Sequence, residues 1–454
     1  MFLARPARRN PMPRSEEFTW RQAESGYGKP RPADAGRQRR PFMTSFAAPL
    51  PSLKRHRPFA LFWVMRVTTT GAYFMQAVAI GWQIYDMTGN PLDLGLVGLV
   101  QFFPLVLLAV VVGQIIDRYD RRAIARSCQI VKAVCALVLA VGSAGGWLGR
   151  DAIFGILLVV GTARAFETPT LHALLPGLVP PLLLPRAIAA SATANQTAII
   201  CGPALGGLIY AFGPTTVYVT CACIFITASV LVSLLPRDTR PRERQPVTLQ
   251  NLFAGFAYIR NHPVLYGVIS LDLFVVMLSG VTALLPIYAR DVLQTGPWGL
   301  GLLRSAPALG ALAMSVVLAH AAIERRAGLL MFATTAVFAV STVVFALSTS
   351  LALSLAALTV YGATDAVSVV IRMAMVQTRT PHDMLGRVMA VNSACTGTSG
   401  TLGEFRAGLV AAASDAVTSV LVGGLGAILV IALWMRLFPD LVRIKRVSPE
   451  IPGP

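Results

Sequence analysis

The stretch Gly113-Gln114-Ile115-Ile116-Asp117-Arg118-Tyr119-Asp120-Arg121-Arg122 follows residues 94–112, which carry no charge. Five of its last six residues are charged. Such a cluster is too costly to leave in hydrocarbon, so it marks where a membrane-crossing helix ends at water. Everything else in the chain can be placed from that point.

Of the 454 residues, 55% are hydrophobic and 13% charged, with a mean hydropathy of +0.64. Soluble domains average about 25% charged residues. This balance specifies an integral membrane protein with many spans. The net charge of +18 is no nucleic-acid signal, because the basic residues lie between apolar segments and no Lys/Arg run is interleaved with aromatics. The six cysteines show no CxxC spacing and no His at metal-site spacing. They read as packing residues, and neither a metal nor a cofactor is expected.

Residues 1–57 hold 13 Lys/Arg against 4 Asp/Glu and no sustained apolar run, which predicts a disordered basic tail on the cytoplasmic side. Met43 is an alternative natural start, which would leave 1–42 outside the protein. Twelve apolar segments follow, each near the ~20 residues that span a bilayer: 59–83, 94–116, 124–147, 152–170, 187–210, 215–235, 264–288, 298–321, 328–348, 351–372, 388–412 and 417–438. If both termini are cytoplasmic, 33 of the 39 Lys/Arg fall on that side. Arg372 and Lys132 are counted there, and only Arg150 and Arg290 fall in the opposite loops. The polar linker 236–262 divides the spans six and six. Its Leu249, Leu252, Phe253, Phe256 and Ile259 share one helical face, which predicts a surface amphipathic helix.

The two sets of six align at an offset of 201 residues. Gly161 then matches Gly362, Arg164 matches Asp365, and Gly202, Gly207 and Leu208 match Gly403, Gly408 and Leu409. The fold expected is all-α, with 12 transmembrane helices as two pseudo-symmetric six-helix bundles, 58–235 and 263–438. Residues 439–454 form a C-terminal tail. Substrate in such parallel repeats binds between the bundles near the midplane.

The form Gly-x-x-x-Asp-Arg-x-x-Arg-Arg resembles the signature loop between helices 2 and 3 of the major facilitator superfamily, with Asp120 where that loop usually has Gly. The resemblance implies a gate of Gly113, Asp117, Arg118, Arg121 and Arg122, with Asp117 close to Arg387 at the start of helix 11. Gly202-Pro203-Ala204-Leu205-Gly206-Gly207 resembles an exporter motif of helix 5, in which Gly permits close packing and Pro bends the helix. The segments 375–388, 81–85 and 402–405 resemble the enterobactin-exporter-like, transmembrane secretion effector branch.

Charges inside apolar spans are the sharpest pointers, since each costs about 2.5–3.5 kcal/mol on insertion scales. They suggest that Arg164 holds an anionic group of the cargo and that Asp272 or Asp365 accepts a coupling proton; ion pairs inside each half are the structural alternative. Glu167 and Arg66 are further candidates and are expected to pair. Arg304 and Glu404 are expected to form a structural pair. Gln76, Gln83, Asn195 and Gln196 are candidates to line the cavity, with bridging between helices, common for mid-helix amides, as the alternative.

The branch implies a bacterial inner-membrane carrier that exports a siderophore- or drug-like molecule by proton antiport with alternating access; a monomer is expected. The alternatives are a lipid or lysolipid flippase-like carrier and a non-transporting sensor. No Walker loop and no Ser/His/Asp or metal constellation points to an enzyme.

Overall fold

The computed structural model describes residues 56–236, 249–320 and 326–444, all helix and short connections. Residues 1–55 of the expected basic tail, residues 237–248 of the linker and the segment after 444 lie outside these residues. The helices are α1 Arg57–Thr88, α2 Pro91–Leu107, α3 Ala109–Arg118, α4 Arg121–Ala144, α5 Arg150–Leu178, α6 Leu184–Tyr210, α7 Pro214–Ser233 and α8 Leu249–Arg260. The second half continues with α9 Pro263–Ser279, α10 Val281–Ile287, α11 Gly296–His320, α12 Ala327–Leu347, α13 Leu351–Arg379, α14 His382–Ala413, α15 Ala416–Leu437 and the short α16 Pro439–Arg443.

Among the described residues, eight spans are long and apolar enough to cross a membrane, and the pair α2–α3, bent by 61°, makes a ninth. Helices α1, α6 and α14 complete twelve long helical runs. These three are less apolar because they carry polar groups such as Gln76, Gln196 and Glu404 into the middle of the molecule.

Local chemistry fixes the helix ends. Asn90 accepts from the Leu92 amide at 3.0 Å and starts α2, and Asp120 accepts from the Arg122 amide at 3.0 Å and starts α4. Asp415 starts α15, accepting from the Thr418 hydroxyl at 2.6 Å and the Thr418 amide at 2.8 Å. Those two bonds hold its carboxyl below the ordinary carboxylate range. Gly280, at φ 48, breaks the seventh span between α9 and α10, a conformation that residues with a Cβ rarely adopt.

Helix pairing repeats between the halves. In the first, α4 packs on α5 and α7, α1 on α6 and α7, and α2 on α5. In the second, α12 packs on α13 and α15, α9 on α14 and α15, and α11 on α13. Matched glycines sit at matched crossings. Gly161 lies on the Gln101 carbonyl of α2 and Gly362 on the Pro307 carbonyl of α11; Gly202 lies on Gly71 of α1 and Gly403 on Val276 of α9. The repeat in the sequence is therefore a repeat in packing.

α8 lies where the amphipathic helix was expected, with Ile259 buried and Phe256 exposed. Its Gly255 abuts the Arg387 carbonyl, so the helix packs on the start of α14. The side chains of Leu249, Leu252 and Phe253 lie outside the described residues.

Candidate functional site

The halves meet along two helix pairs, α2 with α14 and α6 with α11. We call the end carrying Thr88, Tyr210 and Ala413 distal and the end carrying Arg57, Arg118 and Arg379 proximal. The close contacts are distal. Gly408 approaches Gly95, Gly207 approaches Gly301, and the Ser305 hydroxyl donates to the Ile200 carbonyl at 2.7 Å. Deeper in, Gln196 donates to the Ala308 carbonyl at 3.3 Å.

The seventh span ends in a π turn, Tyr288–Val292, which presents two charges to α1. The Tyr85 hydroxyl donates to Asp291, and Arg290 pairs with Asp86 at 3.0 Å. The Arg290–Asp86 pair is half-exposed, so it is worth under ~1 kcal/mol; together with the tyrosine bond it ties the distal ends of the halves. Tyr85→Phe combined with Arg290→Gln is expected to loosen this end. In a cysteine-free background, labelling of Ser305→Cys by a membrane-impermeant maleimide should rise several-fold. Unchanged labelling would show that the ties do not hold the seam.

At the proximal end, α3 bends away and packs on α2 and α5. Val112 and Ile116 are buried with Ala165 there. Asp117 and Arg118 are exposed at its tip. Arg121 donates to the Ala173 carbonyl at 2.9 Å, and Arg122 to the Leu235 carbonyl, so both stitch the first half. Arg387 is exposed and reaches the Met384 sulfur at 3.6 Å. Gly113 has no atom within 4 Å of a notional Cβ.

Each half contains a buried ion pair. In the first, Lys132 Nζ lies 2.7 and 2.8 Å from the two oxygens of Glu167, Gln129 donates to Glu167 at 2.6 Å, and Lys132 stands over the Phe225 ring. In the second, Arg372 meets Asp272 at 2.5 Å and Asp365 at 3.7 Å, while Thr396 donates to Asp272 at 3.1 Å. Asp272 is enclosed, whereas the Asp365 side chain is 42% exposed.

Four expectations are corrected here. Glu167 pairs with Lys132 and not Arg66, because Lys132 projects from the adjacent α4 and occupies both carboxylate oxygens. Arg304 and Glu404 form no ion pair within 4.0 Å; Glu404 accepts from Thr282 at 3.2 Å and lies against Gly98. Gln83 bonds Ser143 and Tyr218 inside the first half instead of lining a cavity. Lys132 and Arg372, counted as helix-end charges in the sequence, are buried partners; α13 extends seven residues past 372. The spacing of Asp365 and Arg372, seven residues on one helical face, was the available signal for that pair.

Arg164 is exposed on α5 and stacks on the Tyr73 ring at 4.0 Å. The Tyr73 hydroxyl donates to Gln101 at 2.9 Å, which fixes the ring beneath the guanidinium. A groove of about 500 Å³ lies between α4 and α5, lined by Val131, Val159 and Phe166 and not by Arg164.

Two halves of matching helix packing, closed against each other at one end and each holding a buried ion pair, define a membrane transporter of the major facilitator superfamily. The chain belongs to the transmembrane secretion effector family, whose model matches residues 44–448. It is similar to the enterobactin exporter EntS of Escherichia coli O139:H28 (strain E24377A / ETEC), 27% identical over 406 residues, which cover 88% of this chain and 96% of that protein. The EntS of Shigella boydii serotype 18 matches equally. Among solved structures, the fold is similar to a bacterial homologue of the human lysosomal transporter Spinster (TM-score 0.69, 13% identity, 87% and 99% coverage). It is also similar to a bacterial homologue of the iron transporter ferroportin (TM-score 0.63, 17% identity, 84% and 99% coverage).

Proposed function

We propose that this chain exports a small siderophore- or drug-like molecule from a bacterial cytoplasm across the inner membrane by alternating access, driven by proton antiport. The excess of Lys/Arg at the proximal end supports a cytoplasmic placement for it. With its halves tied distally, the conformation then faces inward. The gate residues Gly113, Asp117, Arg118, Arg121, Arg122 and Arg387 would close the proximal end in the opposite state.

The observation that carries this reading is Arg164, a guanidinium stacked on Tyr73, exposed on α5 and within electrostatic reach of Glu404 of the second half, where it can hold an anionic group of the cargo. Arginine offers a planar fork that matches carboxylate-like oxygens. In this reading Asp365, the more exposed of the two carboxylates beside Arg372, exchanges the proton, and its exposure supports that role. A negative cargo leaving a cell with a negative interior also gains about 2.3 kcal/mol per charge per 100 mV.

The test is intracellular accumulation of iron chelators and drugs in cells with and without the chain, with a protonophore control. A charge-assisted contact contributes about 1.5–3 kcal/mol, so Arg164→Ala should weaken export by roughly tenfold or more. Asp365→Asn should remove the protonophore sensitivity. Full activity in both variants removes these residue roles.

A further inference from the structure

The basic side chains inside the bundle differ in what they touch. Lys132 and Arg372 have carboxylates, and Arg406 donates to the Leu278 carbonyl at 2.6 Å. Among the described residues, Arg66, Arg164 and Arg304 have no ion pair within 4.0 Å and no hydrogen bond. The Nε atoms of Arg66 and Arg304 are enclosed without an acceptor. Glu167 acts on Arg66 and Glu404 on Arg304 only from beyond ion-pair distance, so their guanidinium N–H groups stay unbonded and can donate to an anion from outside the chain.

These three residues are arranged along one helix. Arg66 is on α1. Arg164 rests on Tyr73, seven residues further along α1, and the Arg304 Nη2 lies 3.5 Å from a notional Cβ on Gly81, eight residues further again. At 1.5 Å per residue these points are about 10 and 12 Å apart along α1. Arg66 and Arg164 belong to the first half and Arg304 to the second. The last therefore sits where the seam must part for a solute to leave.

We propose that Arg66, Arg164 and Arg304 form a stepped anion path along α1, and that the cargo is an organic anion passed from the first to the last as the halves rock. This rests on the export reading above, and it adds a substrate class and two binding residues. Glu404 is the carboxylate facing the last two steps. It acts electrostatically on both Arg164 and Arg304 while its own bond is to Thr282. Its place beside the final arginine weakens that step, as release requires: a site must bind strongly enough to accept a solute and weakly enough to let it go.

Two dyes on the same xanthene frame test the charge rule: fluorescein, an anion, and rhodamine 123, a cation. Their binding to the purified full-length protein in nanodiscs is read by fluorescence anisotropy. Wild-type protein should bind fluorescein about tenfold or more tightly than rhodamine 123. Arg164→Gln and Arg304→Gln should each lower fluorescein affinity by about tenfold or more and leave rhodamine 123 binding unchanged or tighter. Glu404→Gln should tighten fluorescein binding by roughly three- to tenfold, a gain that a misfolded variant cannot produce.

Equal affinity for the two dyes, arginine variants without effect, or weaker fluorescein binding in Glu404→Gln each overturns the anion path. The export reading fails separately. If the dyes behave as expected but the chain leaves cellular accumulation unchanged, the path stands and export falls; export without dye preference gives the reverse.

Discussion

Arg372→Leu is expected to destabilise the protein by about 3–5 kcal/mol, the usual cost of breaking a buried ion pair from one side. Asp272 is 6% exposed and meets the guanidinium at 2.5 Å, so the substitution leaves a carboxylate enclosed among α9, α13 and α14 with only the Thr396 hydroxyl. The loss should appear as a large fall in thermal unfolding temperature in detergent and in folded yield. Adding Asp272→Asn should recover much of it, because the second change removes the stranded charge. A single variant that melts like the wild type would mean that the pair contributes nothing to folding, and a double variant worse than both singles would contradict the stranded-charge account.

Gly310→Val and Gly362→Val are expected to be as damaging for a different reason. A Cβ on Gly310 would stand 1.9 Å from the Thr359 carbonyl oxygen, and one on Gly362 would stand 1.9 Å from the Pro307 carbonyl oxygen. Both obstacles are backbone atoms, so no rotamer change relieves them, and α11 and α13 must separate. Overpacking typically costs about 1–3 kcal/mol, and a forced helix separation belongs at or beyond the top of that range. Gly113→Ala, with open space around it, is the control and should keep full stability. Melting temperatures of the three variants decide the matter; near-native values at Gly310 and Gly362 would show that the crossing is loose.

The spans, the division into six and six and the 201-residue repeat could be read from apolar runs and matched glycines. The breaks could not. Pro104 ends no helix in its own position; the bend comes four residues later at Leu108, and Gly280 lies inside an unbroken apolar run. Sequence gave Arg164 and Asp365 their depth, because an ionisable residue in an apolar run is conspicuous. It could not give them neighbours, since depth along a helix says nothing of the direction a side chain faces. Hence Glu167 was matched with the arginine at its own level, although a lysine from the next helix reaches it. Arg372 was misplaced because α13 runs 29 residues, longer than a bilayer requires.

The distal seam between the halves includes glycine against backbone, at Gly95 with Gly408 and at Gly207 with Gly301. Surfaces of that kind do not interlock, so the halves can slide apart without unthreading any bulky group. They act as a smooth bearing, and the few polar bonds at Tyr85, Asp86 and Ser305 act as its bolts. Evolution can then retune how long the carrier dwells in each state by altering single bolts, leaving the bearing, and with it the shape of both states, untouched.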